Sequence, residues 1–345
     1  STLSSSSAAS DVYKRQVMDW DKEQGWHDAA IVPYGGIPMD PATMVLHYAQ
    51  ETFEGMKAYR TAEGKIQLFR PEMNARRMIK SNERLCMPGV PEEMFVEAVK
   101  ALVKAQEDWV PSEPGTSLYI RPFMFATEAS LGVHMAKSYK FVIITTPVGA
   151  YYAEGINPVK ILVEDEYVRA VKGGTGFTKC GGNYASSIAG QVKAEKMGCT
   201  QVLWLDGEHL KYVQEVGAMN MMFLIDGKLV TAPLHDTILP GITRRSVMTL
   251  AREMGIEVEE RPISVDELIA AGENGKLTEA FGTGTAAVVS PVGELAYRDK
   301  HIMIGDKSVN NGIGELTMKL YNTLTGLQWG RIEDTHGWVT DIDKK

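Results

Sequence analysis

The spacing of hydrophobic and polar residues changes several times along this chain, and each change predicts a new element of secondary structure. From Val32 to Arg70 the pattern is strand-like, with a turn at Glu63-Gly64. Pro71 can begin a helix that extends to about Leu85, because proline is tolerated in the first helical turn. A second helix, from Glu92 to Trp109, carries apolar residues three and four positions apart. Two strands follow, at Ser117 to Ala126 and Tyr139 to Thr146. We expect this half of the chain to form a mixed α/β domain.

The second half of the chain alternates shorter strands and helices. The predicted strands are Lys160–Glu164, Gln201–Leu205, Met219–Ile225, Lys228–Thr231 and Glu257–Arg261. The predicted helices are Asn183–Met197, Thr243–Met254, Val265–Ala271 and Gly312–Leu327. A glycine- and threonine-rich turn at Ala280–Pro291 leads into another strand. The whole chain therefore predicts an α/β fold of the mixed, α+β kind.

Proline, glycine and tyrosine residues between the two halves indicate an interdomain linker at residues 148–158. We expect a small N-terminal α/β domain at 17–147 and a larger domain at 159–345. Ser1 to Gln16 is rich in serine and alanine and lacks the apolar core of a secretory signal. We expect residues 1–16 to be a non-native or disordered leader and leave them out of the fold.

Composition and charge narrow the function to an enzyme that acts on small molecules. The 345 residues carry a formal charge of −8, which disfavours nucleic acid because polyanion binding needs a basic surface. No apolar run approaches the length of a membrane span. The three cysteines are too scattered for a disulfide framework or a C-x-x-C site, and the seven histidines lack metal-ligand spacing. We therefore expect a cytoplasmic protein with no nucleic-acid, membrane or metal partner.

The candidate chemistry centres on Lys179, which lies in the glycine-rich segment Gly173–Tyr184. Small neighbours leave room beside its amine for a bulky group such as pyridoxal phosphate, held as a Schiff base. A phosphate-binding nucleotide loop is the nearest alternative, since the segment almost matches G-x-x-x-x-G-K-[ST]. Thr178 stands where that loop needs its second glycine, and Cys180 replaces the metal-binding hydroxyl. The nucleotide loop is therefore rejected.

Pyridoxal phosphate also needs a carboxylate at the pyridine nitrogen, a donor to the ring oxygen and an anion site for its phosphate. Glu215 lies in an apolar segment and suits the nitrogen, although a hairpin-edge glutamate facing water fits the spacing equally well. Tyr184 is either the donor or an ordinary half-buried tyrosine. Pro240-Gly241 places the amides of Ile242-Thr243 at a helix start, which favours phosphate but is also a plain helix beginning. The loop Gly282–Ala286 offers a second group of amides and hydroxyls.

Longer motifs then occur in order along the chain. They are Phe53-Glu54-Gly55-Met56-Lys57-Ala58, Leu68-Phe69-Arg70-Pro71, Ser117-Leu118-Tyr119-Ile120-Arg121-Pro122, Gly181-Gly182-Asn183-Tyr184, Glu215-Val216-Gly217 and Leu239-Pro240-Gly241. Together they resemble the branched-chain amino acid aminotransferases, in the fold-type IV group of pyridoxal-phosphate enzymes, over nearly all of Val17 to Trp338. The resemblance implies a small α/β domain and a larger pseudo-barrel domain that binds the cofactor.

The resemblance also implies a role for each residue that matches a family motif. Lys179 would be the Schiff-base lysine that shuttles protons, Glu215 the partner of the pyridine nitrogen and Tyr184 the donor to the ring oxygen. The phosphate would be held by Arg77, Ile242, Thr243 and Thr285. The residues that would bind substrate are Tyr48, Phe53, Tyr119, Arg121, Val133, Tyr151, Thr285 and Ala286. Leu131-Gly132-Val133 matches a loop that reaches the neighbouring subunit's site in this family, which implies a homodimer.

The implied reaction is the reversible transamination of L-leucine, L-isoleucine and L-valine with 2-oxoglutarate, giving branched-chain 2-oxo acids and glutamate. Two relatives of the same fold remain alternatives, a D-amino acid aminotransferase and an aminodeoxychorismate lyase, although Tyr119-x-Arg121 favours the branched-chain enzyme. A catalytically silent binding protein is a third alternative, and the joint presence of the cofactor-binding residues argues against it. Animal members carry a C-x-x-C thiol switch where this chain has Ala287–Ser290, so we expect no redox control by that route.

Overall fold

The computed structural model describes residues 13–152, 155–306 and 308–344. The strands, in chain order, are β1 (Lys14–Asp21), β2 (Gly25–Pro33), β3 (Glu51–Phe53), β4 (Met56–Arg60), β5 (Ile66–Phe69), β6 (Ser117–Ala126), β7 (Ser138–Val148), β8 (Val159–Val163), β9 (Gln201–Leu205), β10 (Val213–Val216), β11 (Met219–Ile225), β12 (Lys228–Thr231), β13 (Val258–Glu260), β14 (Leu277–Gly284), β15 (Val288–Tyr297), β16 (Lys300–Met303) and β17 (Val339–Asp341). The helices are α1 (Met44–Tyr48), α2 (Pro71–Arg84), α3 (Glu92–Ala105), α4 (Gly181–Ala185), α5 (Ile188–Lys196), α6 (Ile242–Glu253), α7 (Val265–Glu273) and α8 (Glu315–Gln328).

The chain divides into two compact units. The first combines the chain up to Ala150 with the short segment Thr178–Gly181 and the final segment Leu327–Lys345. The second contains Tyr151–Phe177 and Gly182–Gly326. The first change of unit, between Ala150 and Tyr151, falls within the expected linker at residues 148–158. Two segments that the sequence places in the larger domain, Thr178–Gly181 and Leu327–Lys345, belong instead to the first unit.

The first unit is built on an antiparallel sheet in the order β17-β5-β4-β6-β7-β1-β2, with β3 pairing with β6. Helices α2 and α3 contact each other, and α3 also contacts β1 and β7. Helix α3 buries Phe95, Val99, Leu102 and Val103, which recur at the three- and four-residue spacing of one helix face. This confirms the helix that the apolar spacing predicts, although it ends at Ala105, before a short 3-10 turn at Glu107–Trp109.

The second unit contains a closed ring of strands. Strands β9, β8, β15, β14 and β11 follow β10 in order, and β10 also pairs with β11, so that the ring returns to its start. Strands β12 and β13 extend the sheet from β11, and β16 pairs with β15. A buried apolar cluster that includes Ile161, Leu203, Val216, Phe223 and Leu295 lies on these strands. Closure pairs the edges that an open sheet would leave exposed, and it agrees with the expected pseudo-barrel.

The first strand corrects the boundary of the expected leader. Strand β1 begins at Lys14, and Gln16 pairs with Ile143 of β7 and is only 4% exposed. Lys14, Arg15 and Gln16 are therefore part of the sheet, because their backbone completes the pairing along β7 and β2. Residues 1–12 of that segment lie outside the described residues.

The end of the chain corrects the expected extent of the larger domain. Strand β17 pairs antiparallel with β5, and Gln67 Nε2 donates to the carbonyl of Leu327 over 2.9 Å. The Trp329 ring packs at 4.7 Å from the Tyr59 ring. These contacts join residues more than 250 positions apart, a pairing that local sequence pattern does not encode. Among the described residues, no helix is long and apolar enough to cross a membrane.

Some predicted elements differ in detail. The expected helix at Asn183–Met197 is two helices, α4 and α5, separated at Ser186-Ser187. The turn expected at Ala280–Pro291 is a strand pair, β14 and β15, joined at Thr285–Ala287. The other helices of the second unit keep the predicted positions within a few residues, as their amphipathic spacing requires.

Candidate active site

Lys179 is held by its backbone in the first unit. Its amide donates to Ser81 Oγ over 3.0 Å, and its carbonyl accepts from the amide of Phe53 over 2.9 Å. The amide of Gly181 donates to Glu51 Oε1. The lysine Nζ lies 4.9 Å from the centre of the Phe53 ring. Strand β3 and helix α2 thus fix the backbone on both sides of the lysine, so that its side chain starts from a defined position.

The glycines near Lys179 allow close packing of the chain. A Cβ at Gly176 would overlap the side chain of Ala170 and the backbone of Thr237. A Cβ at Gly181 would overlap the carboxylate of Glu51, which accepts the Gly181 amide. The sequence alone indicates that these glycines leave space for a group beside the amine. In the structure, these two positions are glycine because neighbouring segments approach the backbone directly.

Arg77, the residue matched to the family's phosphate-binding arginine, forms a buried pair with Glu54. Its Nε donates to Glu54 Oε1 and its Nη2 to Glu54 Oε2, each over 2.8 Å. Asn74 Nδ2 donates to the same carboxylate over 2.7 Å. Glu54 is fully buried, so the two-bond geometry satisfies a charge that would otherwise be costly. Sequence reasoning missed Glu54: it lies within one of the motifs, but no role was predicted for it. The only signal in the sequence was an acidic residue among apolar ones, which indicates a buried carboxylate that needs a partner.

Phe53, Tyr119 and Arg121 form a compact aromatic and cationic group. The Arg121 guanidinium lies 4.7 Å from the centre of the Phe53 ring and 5.3 Å from that of Tyr119. Its Nη2 donates to Tyr119 Oη over 2.8 Å. A Cβ at Gly55 would overlap Tyr119 Oη, so glycine is needed for the tyrosine to lie there. The structure thus brings together three of the predicted substrate-binding residues, two of them alternate positions on β6.

Glu51 lies beside this group and was not predicted. Burial raises the pKa of the Glu51 carboxyl, while the Gly181 N–H and the positive charge of Arg121 act in the opposite direction. The carboxyl therefore links the lysine-bearing segment to Arg121 electrostatically. Its proximity to Gly181 joins residues 130 positions apart, which explains why sequence spacing gave no sign of it.

Three predicted substrate-binding residues lie at exposed positions. Tyr48 donates its hydroxyl to the carbonyl of Leu131, in the loop that contains Val133. Val133 is 81% exposed. Tyr151 is also exposed and packs edge-to-face on Tyr152, with ring centres 4.8 Å apart. The hydrogen bond to Leu131 places Tyr48 beside the Leu131–Val133 loop. Tyr151 belongs to the second unit.

Glu215, in the second unit, is buried and multiply bonded. It is 2% exposed, and its Oε1 accepts from the amide of Leu239 over 2.5 Å and from Asn220 Nδ2 over 3.4 Å. Arg169 Nε lies 3.3 Å from its Oε2. Of the two alternatives left open by the sequence, the water-facing hairpin edge is therefore wrong. Burial and these partners hold the carboxylate in one orientation away from water, as a residue that faces a cofactor nitrogen requires.

Tyr184 and Glu215 line the same cavity, which has a volume of ≈ 390 Å³. Asn183, Arg169 and Trp204 contribute to its walls. Asn183 is itself held by Thr175, because its Nδ2 donates to the Thr175 carbonyl over 2.8 Å. The structure thus joins the two predicted ring-binding residues across α4 and β10.

The predicted phosphate-binding residues of the second unit lie outside the lining of that cavity. Ile242 and Thr243 are the first two residues of α6, a helix that has no side-chain cap. Their amides belong to the first turn, where the helix leaves N–H groups for an anion. A Cβ at Gly241 would overlap Asn220 Oδ1, so the residue before α6 packs directly against Asn220. Asn220 in turn donates to Glu215. Thr285 and Ala286 lie in the turn between β14 and β15.

Arg169 is the residue of this region that sequence reasoning missed. Its guanidinium reaches Glu215 and two backbone carbonyls, yet it lies in a loop with no motif or periodicity. No group of three or more His, Cys, Asp or Glu residues in the described part of the chain could hold a metal ion.

The sequence pattern of the family described as Amino-transferase class IV matches residues 51–295. That match covers more than half of the chain and includes Lys179, Tyr184 and Glu215. The chain therefore belongs to the class IV aminotransferase family. The fold agrees, since that family and its solved structures share the mixed α/β architecture with a barrel-like sheet.

Comparison with characterised sequences gives close relatives along almost the whole chain. It is 54% identical to branched-chain-amino-acid aminotransferase 2 of Bacillus subtilis (strain 168) over 327 residues, which cover 94% of this chain and 89% of that protein. It is 47% identical to the branched-chain-amino-acid aminotransferase of Mycolicibacterium smegmatis over 331 residues, again 94% of this chain and 89% of the other.

Solved structures give the same result from geometry. The branched-chain aminotransferase of the archaeon Thermoproteus uzoniensis, solved with norvaline, has a TM-score of 0.78 and 26% identity, over 95% of this chain and 99% of that one. The branched-chain amino acid aminotransferase of Thermobaculum terrenum in its PLP-form has a TM-score of 0.78 and 25% identity, over 97% of this chain and 100% of that one.

Proposed function

We propose that this chain catalyses the reversible transfer of the amino group of L-leucine, L-isoleucine and L-valine to 2-oxoglutarate, with pyridoxal 5'-phosphate as cofactor. The observation that carries the proposal is the cavity lined by Tyr184 and buried Glu215, in a chain 54% identical to an enzyme named for branched-chain amino acids. The class IV aminotransferase family supplies the reaction type.

The residues present fit the cofactor. Glu215 offers a desolvated carboxylate for the pyridine nitrogen, and Tyr184, on the same cavity, offers a hydroxyl for the ring oxygen. The first turn of α6 offers the amides of Ile242 and Thr243 to the phosphate, with the Thr285 hydroxyl as a further partner. Arg77 supplies a positive charge in the same role, and Glu54 holds its guanidinium in a fixed plane. The second unit is accordingly the cofactor-binding domain of the proposal.

Lys179 is the catalytic residue of the proposal. When bound, pyridoxal phosphate supplies the electron sink that makes the substrate Cα proton removable. The Lys179 amine would hold the cofactor and would carry the proton that leaves Cα. Its backbone hydrogen bonds to Ser81 and Phe53 keep the origin of the side chain fixed while the amine moves.

The group formed by Phe53, Tyr119 and Arg121 suits two kinds of side chain. The Phe53 ring offers an apolar surface to leucine, isoleucine or valine, and discrimination among them is weak because one methylene is worth about 1–3 kcal/mol. Arg121 and the Tyr119 hydroxyl offer a charge and a hydrogen bond to the second carboxylate of glutamate. We assign Tyr48, Tyr151 and the amide of Ala286 to the remaining substrate contacts.

We further propose a cytoplasmic homodimer. Leu131 and Val133 are 66% and 81% exposed, and exposed apolar side chains on one short loop suit burial against a second copy. In the family the corresponding loop reaches the neighbouring subunit's site. The three cysteines, unpaired among the described residues, fit a reducing compartment.

The test is an amino-donor profile with L- and D-amino acids and 2-oxoglutarate, on the wild type and on Lys179→Ala. We expect activity with the three branched-chain L-amino acids, loss of turnover in Lys179→Ala, and near wild-type activity in Lys172→Ala, an exposed lysine of the preceding loop. Preference for D-amino acids would favour a D-amino acid aminotransferase. Lack of visible absorbance after incubation with pyridoxal phosphate would instead favour a silent binding protein.

A further inference from the structure

Arg169 connects three segments of the second unit through one side chain. Its Nε lies 3.3 Å from Glu215 Oε2, and its Nη2 donates to the carbonyl of Gly176 over 2.9 Å and to that of Thr237 over 2.5 Å. The side chain is only 8% exposed. Gly176 lies in the glycine-rich loop that precedes Lys179, and Thr237 lies in the loop that precedes α6.

The contact with Glu215 is an ion pair. Arg169 Nε makes no hydrogen bond within the described residues, although it lies 3.3 Å from the carboxylate oxygen. The guanidinium therefore stabilises the carboxylate through charge, while its Nη2 is fixed in place by two backbone carbonyls. Both partners are buried, so water screens their attraction little.

The two loops that Arg169 joins also contact each other directly. Gly176 has no side chain, and a Cβ there would overlap the backbone of Thr237. The amide of Phe177 also donates to the Asp236 carbonyl over 3.0 Å. Arg169 thus bonds both loops where they meet, while its Nε lies next to Glu215 Oε2.

We propose that Arg169 is a positioning residue for cofactor binding. It fixes the orientation of the Glu215 carboxylate and holds it relative to the glycine-rich loop and the loop before α6. The inference rests on the proposed function, because it assigns Arg169 an effect on the residue that we place at the pyridine nitrogen. It extends that function to a residue outside the family motifs found in the sequence.

The experiment titrates cofactor-free protein with pyridoxal phosphate and with pyridoxamine phosphate, following tryptophan fluorescence. Pyridoxamine phosphate forms no covalent bond with lysine, so it reports the non-covalent contacts alone. The variants are Arg169→Met, Arg169→Lys, Glu215→Gln and the double variant Arg169→Met/Glu215→Gln. The control is Arg261→Met, because Arg261 also bonds carboxylates and a carbonyl, those of Glu259, Glu267 and Pro262.

We expect Arg169→Met to weaken binding of both compounds by about 10- to 100-fold, as expected when the charged partner of a buried group is removed. Arg169→Lys keeps the charge and should recover part of the affinity. The double variant should bind no more weakly than the weaker single variant, because Arg169 acts through Glu215. Arg261→Met should bind as the wild type does.

Unchanged affinity in Arg169→Met, or effects of Arg169→Met and Glu215→Gln that simply multiply, would overturn the inference while leaving the proposed function intact. Failure of the wild type to bind either compound would instead remove the proposed function. If Arg169→Met does not fold, as judged by the melting temperature of the cofactor-free protein, Arg169→Lys is compared with Arg169→Lys/Glu215→Gln. Equal loss in these two supports the inference, and multiplied losses contradict it.

Discussion

Arg77 and Glu54 form a two-hydrogen-bond ion pair inside the first unit, with the arginine on α2 and the glutamate directly after β3. Three positions earlier, the same helix face carries Asn74, which bonds the same carboxylate. The adjacent Arg76 makes a similar pair with Glu92, but at the surface. Neighbouring arginines with like partners thus differ mainly in burial.

Glu54→Gln should strongly destabilise the protein. It keeps the shape of the side chain but leaves the Arg77 charge buried without its counter-charge, a loss of about 3–5 kcal/mol in the free energy of unfolding. Glu92→Gln is the matched control, and we expect it to change stability far less because water screens the exposed Arg76. Thermal and urea denaturation of the cofactor-free proteins measure both. Equal effects of the two substitutions would contradict the buried pair.

Gly176→Ala and Gly182→Ala should change stability in opposite directions. A Cβ at Gly176 meets the backbone of Thr237, which cannot move away cheaply, so we expect a loss of about 1–3 kcal/mol. A Cβ at Gly182 meets nothing within 4 Å, and Gly182 lies in α4, where alanine is favoured over glycine by about 0.5–1 kcal/mol. The melting temperatures of the two variants are the measurement. A neutral Gly176→Ala would mean that the two loops do not meet as described.

Tyr119→Phe should separate the two substrate classes. The hydroxyl accepts from Arg121 and stands beside the charge proposed to hold the second carboxylate of glutamate. We expect kcat/KM for glutamate to fall about 10-fold, the effect of one charge-assisted hydrogen bond, with little change for leucine. Tyr297→Phe is the control, since Tyr297 also stacks with an arginine, Arg298, at 4.9 Å. An equal fall in kcat/KM for glutamate and leucine would mean that the Tyr119 hydroxyl maintains the shape of the pocket and does not bind the second carboxylate of glutamate.

Lys57→Met should alter how stability depends on pH. Burial lowers the pKa of Lys57 from 10.5 to about 8. Between these values the unfolded chain binds more protons than the folded protein, so wild-type stability rises with pH through this window. Below pH 8 the buried charge is present in full and destabilises the fold, by about 3 kcal/mol at most.

The measurement is the difference in unfolding free energy between wild type and Lys57→Met from pH 7 to 10.5, a range that spans both pKa values. We expect the unfolding free energy of the wild type to rise relative to that of Lys57→Met as the pH rises. Lys65→Met, at an exposed lysine after the next turn, is the control. A flat difference for Lys57→Met would mean that the amine titrates near its ordinary pKa in the fold.

Much of the local structure follows from spacing in the sequence. The recurrence of Phe95, Val99 and Leu102 on one face predicts helix α3, and that spacing can be satisfied only by burying them together. Glycine neighbours single out Lys179, and an acidic group in an apolar run singles out Glu215. Each of these signals lies within a few residues, where side-chain chemistry and backbone geometry are coupled directly.

The tertiary structure decided what those residues contact. Burial removed the water-facing alternative for Glu215, because Leu239 and Arg169 reach it from loops more than 20 residues away. The tertiary structure also explains two of the glycines near Lys179. A Cβ at Gly176 would overlap Thr237, and a Cβ at Gly181 would overlap Glu51. The final strand joined the first unit through β5 for a similar reason.

The sequence by itself therefore determined the elements and the chemical types of the candidate residues. Which carboxylate faces water, which arginine pairs with which acid, and which segments close a barrel were decided only by the tertiary structure. The physical reason is that burial and pairing depend on groups brought together from distant parts of the chain, whereas spacing records only near neighbours.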